Sequence, residues 1–309
     1  NMAGLKEIKP IRLLIPPLPE QRAIVTKIEE LFSSLDSGIA DLKKTQEQLK
    51  VYRQAVLSSS FPNKKLVEIS KVINDLTQGW SPKCLNQKSI DNEEWAVIKT
   101  TAVQASKFIE YENKILPLSL SPREQHEIKI GDILITRAGP RIRVGICCLV
   151  KKTRPKLINC DKVYRIRLNT ELVVPEYFEY CINSPEILSR IEKMKSGSSD
   201  SGLNLTQTVF LRLQIHLPSI QEQHQIVQEI ESRLSVCDKV EETIVESLEK
   251  SKALRQSILK KAFEGKLLSK QELATCKSAP DYEHASVLLK RIKAEKATSA
   301  KKETVKKSK

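Results

Sequence analysis

Three arginines surround a Gly-Pro turn in the stretch 136–143. Arg137, Arg141 and Arg143 each carry a planar guanidinium, which forms paired hydrogen bonds with guanine edges or phosphate oxygens. A turn exposes such side chains to a large partner. The spacing therefore predicts a DNA-contacting loop, with a solvated hairpin tip as the alternative.

Three other stretches place the same kinds of side chain on turns: one around Trp80, one after the apolar run that ends at Ile98, and one in the segment 193–202, which is basic and then Ser/Gly-rich. Such side chains contact phosphates and base edges. The alternatives are a core position for Trp80 and a plain linker at 193–202. Besides the three arginines, the predicted DNA-binding residues are Gln78, Trp80, Ser81, Lys83, Lys99, Thr101, Lys195, Ser196 and Ser198.

The sequence gives little support for catalysis. Glu127-Ile128-Lys129 has the Glu-x-Lys form of a nuclease metal site, but no Pro-Asp pair precedes it at a useful distance. The four histidines are scattered, and neither a glycine-rich nucleotide loop nor an Asn-Pro-Pro-aromatic tetrapeptide occurs. We therefore expect a non-catalytic chain that holds no metal and no cofactor of its own.

Positive charge is unevenly distributed along the 309 residues, whose net charge is +14. The segments 66–216 and 266–309 carry +5 and +7, whereas 217–265 carries −2. A basic balance favours a polyanion through phosphate contacts and counterion release. The middle and the end of the chain are thus the candidates for DNA contact, although +5 also fits an ordinary solvated surface.

The seven cysteines show no C-x-x-C spacing, and Cys147 and Cys148 are neighbours that would face opposite sides of a strand. No apolar run approaches the roughly 18 residues of a membrane span, and no charged and apolar leader is present. These features favour a reducing cytoplasm and predict no membrane association.

One long stretch occurs twice, with an offset of 202 residues. Both copies begin with Pro-x-Leu/Ile-x-Glu-Gln-x-x-Ile-Val and keep one register to Phe61 and Phe263. Apolar residues recur at steps of three and four, proline stands at each start, and Gly265 follows the second copy as a left-handed terminator. We predict long helices at 20–65 and 218–268 whose apolar seams pair with one another; packing of each seam on its own globular domain is the alternative.

Polar residues at both ends of these helices recur in the two copies. Recurrence at polar positions indicates a shared role, which we interpret as docking of a partner. The alternative is helix capping and cross-helix hydrogen bonding, which the same symmetry would repeat. The predicted partner-binding residues are Glu20, Gln21, Arg53, Gln54, Glu222, Gln223, Arg255 and Gln256.

An insert of normal domain size, 66–217, separates the helices. Its short apolar runs and polar turns predict an α+β domain with a β-rich core. Strands are predicted at 95–98, 132–136, 143–150 and 163–168, and helices at 175–183 and 186–194.

The two ends of the chain differ from the insert. Residues 1–19 match the segment that closes the insert and are interpreted as the remnant of a preceding recognition domain, whether cut off or never encoded. The segment 269–309 is predicted to be a basic tail with one short helix near 281–292. Beyond Ala294 it has too few apolar residues to fold alone, so a disordered end is expected.

Together these motifs resemble the specificity subunit of Type I restriction–modification enzymes. The helix-start pattern is the most specific part, and the resemblance covers about residues 5–296. Shorter matches are Gly79-Trp80-Ser81-Pro82, the stretch 131–139, the small polar loop 195–198 and the C-terminal Ala-Ser-x-Leu-Leu-x-Arg-Ile-x-Ala-Glu pattern at 285–295. Two departures are the single recognition domain, where the family has two, and the lysine-rich end.

The resemblance implies a β-rich target-recognition domain inserted between two long α-helices that pair as an antiparallel coiled coil. It implies binding of double-stranded DNA, with methyltransferase subunits docked on the helices and a restriction subunit joining indirectly. N6-adenine methylation and cleavage, with S-adenosylmethionine, ATP and Mg²⁺, would then belong to the partner subunits. With one recognition domain, a two-fold homodimer would rebuild a full subunit and read a palindromic split site.

Two other functions remain open from the residues. A coiled-coil adaptor that binds only protein predicts no salt-dependent DNA affinity. An enzyme with an unrecognised site, such as a nuclease that uses Glu127 and Lys129, predicts metal-dependent DNA cutting by the chain alone.

Overall fold

Two long helices form at the repeated stretches, as the sequence predicts. The computed structural model describes residues 15–61 and 65–306, with side chains up to residue 296. Gly265 follows the second long helix with a φ of 70°, the left-handed conformation expected of a terminator. The helices are α1 (Leu18–Ser60), α2 (Pro175–Ile182), α3 (Pro185–Met194), α4 (Gln207–Leu211), α5 (Ile220–Phe263), α6 (Lys270–Lys277) and α7 (Ala285–Lys306).

Short strands fill the sequence between the long helices. The strands are β1 (Leu66–Glu68), β2 (Ile73–Gln78), β3 (Ala96–Ile98), β4 (Val103–Gln104), β5 (Lys107–Phe108), β6 (Asn113–Ile115), β7 (Ile133–Thr136), β8 (Ala138–Gly139), β9 (Cys147–Leu149), β10 (Leu157–Ile158), β11 (Val163–Leu168), β12 (Leu203–Asn204) and β13 (Gln214–His216). The order of the main sheet is β2-β11-β7-β9, and a smaller sheet has the order β10-β3-β6.

The chain divides into two units. The helical unit comprises Asn1–Gln48 and Val240–Lys309, and the β-rich unit comprises Leu49–Lys239. Each long helix contributes residues to both units.

In the helical unit, the first long helix is antiparallel to the returning chain. Asp36 pairs with Arg255 at 3.0 Å, and Lys27 pairs with Glu272 at 3.0 Å. Partners on α1 thus move toward its N-terminus as the returning chain proceeds. The Arg255 guanidinium also lies 4.5 Å from the Phe32 ring. The predicted antiparallel pairing is confirmed.

In the β-rich unit, the main sheet is antiparallel and separates two hydrophobic cores. Alternate residues of a strand face opposite sides of a sheet. Cys147 therefore lies in the first core, with α2, α3 and residues of the long helices, whereas Cys148 lies in the second core, against the small sheet. The prediction for this cysteine pair is confirmed.

One predicted strand is shorter than expected. The apolar run 143–150 forms a strand only at Cys147–Leu149, because Arg141–Arg143 make a 3₁₀ turn and Gly145 adopts a φ of 93°. A Cβ at Gly145 would lie 2.6 Å from the Ile191 Cγ2 atom, so the close approach of α3 requires glycine here.

The C-terminal segment contains more helix than expected. Two helices, α6 and α7, occur where one short helix was predicted, and α7 continues to Lys306. Alanine, lysine and glutamate are strong helix formers even where no apolar face is available. A capping box on Ser269 and Glu272 fixes the start of α6.

Three parts of the predictions lie outside the described residues: residues 1–14 of the predicted remnant 1–19, residues 62–64 of the predicted helix 20–65, and residues 307–309 at the end of the basic tail. In the part of the chain that is described, none of the helices combines the length and hydrophobicity that crossing a membrane requires.

Candidate nucleic-acid interface

The turn that follows β2 is fixed against the segment that precedes β11. The Trp80 amide donates a hydrogen bond to the Asn159 carbonyl at 2.9 Å, and the Ser81 hydroxyl donates to the Asp161 carboxylate. A Cβ at Gly79 would lie 2.1 Å from the Asn159 carbonyl oxygen. Glycine is therefore required for this contact, which gives the Gly-x-x-Pro turn a physical reason.

Trp80 is half-buried and packs on the second core. The Arg123 guanidinium lies 4.5 Å from the centroid of its ring, in cation–π geometry. The core alternative for Trp80 thus describes its inner side, while the outer side is covered by a cation. Its predicted DNA contact stays a prediction.

Beside this turn lies an open cavity of about 500 Å³, which we call the lysine cavity. Three predicted DNA-binding residues, Ser81, Lys83 and Lys99, contribute to its lining. The full lining is Ser81, Pro82, Lys83, Cys84, Val97, Ile98, Lys99, Thr100, Lys114, Cys160, Asp161 and Lys162.

Two lysines of this cavity were missed by the sequence reasoning. Lys114 lies on β6 and Lys162 just before β11, and pairing of the strands brings them beside Lys83. No local pattern marks either residue. Arg123, over Trp80, was missed in the same way.

Lys99 and Thr101 share one carboxylate. The Thr101 hydroxyl donates to Glu112 Oε2 at 2.6 Å, and Lys99 Nζ lies 3.4 Å from the same oxygen. The Thr101 hydrogen bond, together with the charge of Lys99, lowers the pKa of Glu112 below its ordinary value, although burial opposes this shift. Lys99 is thus partly neutralised by a neighbour.

Arg137 links the cavity to the hairpin loop. Its Nε atom donates to the Asp161 carbonyl at 2.6 Å, and its guanidinium lies 5.8 Å from the Tyr164 ring. Its backbone carbonyl accepts from Leu205 at 2.7 Å. These bonds hold a half-buried guanidinium in one orientation and leave part of its donor edge available.

Arg141 belongs to a second group, formed with the loop 195–204. It pairs with Glu192 and, at 2.8 Å, with Asp200, and its carbonyl accepts from Lys195 Nζ at 2.8 Å. Lys195 also pairs with Glu192 at 2.6 Å. The two cations therefore meet carboxylates of their own unit.

Arg143 points into the protein. Its Nη2 atom donates to the Thr100 and Val103 carbonyls at 2.6 and 2.8 Å, and Nη1 donates to Gln104 Oε1 at 3.1 Å. The guanidinium thus braces the segment between β3 and β4. The sequence does not distinguish this orientation from an outward one, and a DNA contact by Arg143 stays a prediction.

The remaining predicted contacts are at the surface. Gln78 is exposed at the end of β2, opposite Tyr164. Ser196 forms a bridge with Asn204, and its hydroxyl donates to the Asn204 carbonyl at 3.3 Å. Ser198 is exposed in the same loop.

At the starts of the long helices, the recurrent glutamines hold the proline segment that precedes each helix. Gln21 Nε2 donates to the Pro16 carbonyl at 2.7 Å, and Gln223 Nε2 donates to the Pro218 carbonyl at 2.9 Å. The two bonds are related by the 202-residue offset. Glu222 completes a cap with Ser219, whereas Pro17 occupies the equivalent position before Glu20.

The recurrent arginines join the helices to each other. Arg53 pairs with Asp238 at 2.6 Å, and Arg255 pairs with Asp36 at 3.0 Å. The offset converts one pair into the other. Hydrogen bonds to the preceding proline and ion pairs between the helices are thus the contacts that these glutamines and arginines make, and docking of a partner by them stays a prediction. The side chains of Gln54 and Gln256 are exposed and form no hydrogen bond within the described residues.

The weak nuclease candidate has structural contacts. Glu127 accepts from the Lys156 amide at 2.8 Å and pairs with Lys129. Within the described residues there is no group of three histidine, cysteine, aspartate or glutamate side chains placed to hold a metal ion.

Comparison with known proteins decides the family. A family model described as the Type I restriction modification DNA specificity domain matches residues 71–250. The chain belongs to this family. The matched region includes strands β2 to β13, the lysine cavity and much of α5.

Curated relatives agree with the assignment. The chain is 41% identical over 172 residues to the Type I restriction enzyme EcoEI specificity subunit of Escherichia coli. This alignment covers 56% of this chain and 29% of the relative. It is 30% identical to the EcoKI specificity subunit of Escherichia coli strain K12, over 99% of this chain and 69% of the relative. The chain thus spans less than a third of the first relative and about two thirds of the second.

A solved structure shares the fold. It comes from work on complex assembly and conformational transition of the type I R-M system, with a TM-score of 0.63 and 21% identity. The match covers 82% of this chain and 61% of the solved chain. Long helices flanking a β-rich domain are therefore a property that the chain shares with that structure.

Proposed function

We propose that this chain is a specificity subunit that binds double-stranded DNA in a sequence-dependent way. It directs N6-adenine methylation by methyltransferase subunits, and restriction when a restriction subunit joins. Family membership over the region that includes the lysine cavity is the observation that carries this proposal. The relatives are named specificity subunits of restriction enzymes, and we propose the same non-catalytic role here.

The mechanism is positioning of DNA. Lysines at the strand ends contact phosphates and fix the register of the protein on the duplex, and these contacts carry no sequence information. Base edges are read by donors held at defined angles, for which Arg137 and Gln78 are the best-placed candidates. A sheet that is packed on both faces gives these turns a rigid support.

Docking of the methyltransferase subunits is assigned to the long helices. Gln54 and Gln256 occupy equivalent positions in the two repeats and are both exposed. Equivalent surfaces on two helices suit two copies of one partner. S-adenosylmethionine, ATP and Mg²⁺ are proposed to bind only to the partner subunits. A role on genomic DNA also leads us to propose a cytoplasmic location.

The test is methylation mapping. The chain and its methyltransferase subunit are co-expressed in a host without DNA methylation, and every N6-methyladenine is located by single-molecule sequencing. We expect a discrete motif that disappears when this chain is omitted. A different result would support the coiled-coil adaptor: the two proteins co-purify, the host DNA stays unmethylated, and the complex shows no salt-dependent DNA binding.

A further inference from the structure

The lysine cavity combines an apolar floor with a charged rim. Val97 and Cys160 are buried at 4% and 5% exposure, and Cys84 is half-buried. Around this floor stand four lysines and one aspartate. A volume of about 500 Å³ lies within the usual range of ligand sites.

Three of the four lysines form no direct ion pair among the described residues. Lys99 pairs with Glu112, whereas the ammonium groups of Lys83, Lys114 and Lys162 have no hydrogen-bond or ion-pair partner there. Asp161 accepts a hydrogen bond from Ser81 and keeps its negative charge, so the four lysines and this aspartate give the rim a net positive charge. The ammonium groups around the lysine cavity repel each other, and an anion bound between them offsets this electrostatic repulsion.

The positive charge of Lys114 acts on Cys84 at the floor of the lysine cavity. Burial raises the pKa of the Cys84 thiol, and the charge of Lys114 opposes that rise. The Lys114 ammonium therefore acts on the interior of the cavity. A charged ligand in the cavity would feel the same field.

We propose that the lysine cavity binds a phosphate group of the DNA backbone, through Lys83, Lys114 and Lys162, without regard to base sequence. This inference rests on the proposed DNA-binding function and divides it into two parts. The cavity supplies affinity, and the neighbouring donors of Gln78 and Arg137 supply base reading. None of the described residues that line the cavity is aromatic, so a stacked base is a poorer ligand than a phosphate.

The first test measures the salt dependence of DNA binding. Lys114→Gln, Lys162→Gln and the double variant are compared with the unmodified chain, in complex with the methyltransferase subunit, on two short duplexes of unrelated sequence. Each lost phosphate contact lowers the slope of log affinity against log salt by about 0.9 and weakens binding roughly 5- to 10-fold at 0.1 M salt. The loss should be equal on both duplexes.

A matched control is Lys71→Gln. Lys71 is exposed, lies beside residues of the first core and does not line the cavity. This variant should keep the unmodified slope.

The second test uses Cys84 as a reporter. It is half-buried, whereas the other six cysteines are buried, so a neutral maleimide should label Cys84 first. We expect duplex DNA and inorganic pyrophosphate each to slow the labelling at least 5-fold in the unmodified chain. The protection should be lost in the Lys114→Gln and Lys162→Gln double variant.

The outcomes separate this site from the proposed function. Salt-dependent DNA binding with unchanged slopes in the variants and no protection of Cys84 would overturn the site alone. Protection by a free mononucleotide but not by duplex DNA would also overturn it. Absence of any salt-dependent DNA binding by the unmodified complex would overturn the proposed function together with the site.

Discussion

Arg143 and Arg141 lie two residues apart and have different surroundings. Arg143 donates to two backbone carbonyls inside the β-rich unit, and Arg141 forms exposed ion pairs with Glu192 and Asp200. A charged hydrogen bond to a group that loses water on folding contributes more to stability than an exposed ion pair. The two arginines should therefore separate a structural role from a surface role.

Arg143→Ala should lower the free energy of unfolding by about 2–3 kcal/mol, because the Thr100 and Val103 carbonyls lose a charged donor. Arg143→Lys should not restore it, since one ammonium cannot replace a planar fork. Arg141→Ala should cost much less than Arg143→Ala, because exposed ion pairs contribute little to stability. Urea unfolding of the three variants measures this, and equal losses at positions 141 and 143 would contradict the assigned orientations.

Glu179 is a second residue whose surroundings predict a measurable effect. It is 1% exposed, and its Oε1 atom accepts from the Leu149 amide at 2.5 Å, while Oε2 is buried without a partner among the described residues. Burial raises the pKa of this carboxyl from 4.5 to about 7, against the opposing effects of the Leu149 amide and Lys151; Glu176 and Glu231 add to the rise.

This shift predicts a pH-dependent stability. The folded protein keeps a proton that the unfolded chain releases above about pH 4.5, so the contribution is complete at lower pH and is lost as pH rises through 7. Glu179→Gln keeps an acceptor for the Leu149 amide without the charge. The variant should match the unmodified protein within about 1 kcal/mol at pH 5 and exceed it by about 2–3 kcal/mol at pH 8.

Urea midpoints at the two pH values are the measurement for Glu179. Glu171→Gln, at an exposed position just before α2, is the matched control and should leave the pH dependence unchanged. If Glu179→Gln and the unmodified protein lose stability in parallel between pH 5 and 8, the carboxyl is not the group that titrates.

At the scale of elements, the repeat explains why the helices were predictable. Their apolar positions recur at helical spacing over some forty residues each, from Leu18 to Ser60 and from Ile220 to Phe263. Strands at 133–136 and 163–168 were predictable because their apolar runs fit strand length. Periodicity is a local property, and these elements are decided locally.

The lysine cavity was only partly predictable, because it is a tertiary feature. Ser81, Lys83 and Lys99 are on turns that local sequence identifies. Lys114 and Lys162 reach the same cavity only through strand pairing, which composition and spacing do not determine. The inward direction of the Arg143 side chain likewise depends on the 3₁₀ turn Arg141–Arg143. The apolar run 143–150 predicted a strand there instead.

The helix ends give an element-scale prediction. Gln223 is fully buried and also accepts from the Val174 amide at 2.8 Å and donates to the Leu172 carbonyl at 3.0 Å. Gln223→Ala leaves these buried groups unpaired and should cost about 3 kcal/mol. Gln54→Ala, at an exposed position, should change stability by less than about 0.5 kcal/mol.

Variants of the two exposed glutamines test docking separately from stability. If the recurrent exposed glutamines contact the methyltransferase subunit, Gln54→Ala and Gln256→Ala will reduce co-purification with that subunit while their thermal unfolding stays unchanged. Wild-type recovery of the partner with both substitutions combined would leave these two residues with no docking role.

At the scale of the whole molecule, the lysine cavity and the exposed apolar residues of the long helices lie in different segments of the chain. The four lysines surround a cavity of the β-rich unit, whereas α5 belongs to a segment of net negative charge. Tyr52 and Leu254 are repeat equivalents on the two long helices and are 47% and 52% exposed. Apolar side chains at equivalent helix positions suit contacts with protein, and the lysines suit DNA.

The exposed side chains of Tyr52 and Leu254 lead to the last prediction. We expect the 309-residue chain to form a two-fold homodimer through them. Under the proposed function, the recognition domain of one chain would read one half of a split site. A dimer would place two copies in inverted orientation, so the methylated motif should be a palindrome with a spacer. Light scattering at micromolar concentration should give a mass of twice 35.0 kDa.

Tyr52→Glu combined with Leu254→Glu should return the mass to that of one chain, because a charge at each exposed position opposes burial in the contact. Leu118→Glu, which also replaces an exposed leucine but lies in the β-rich unit, should leave the dimer intact. A mass of 35.0 kDa for the unmodified chain, or a motif without inverted symmetry, would exclude the homodimer while leaving recognition of DNA by a single domain in place.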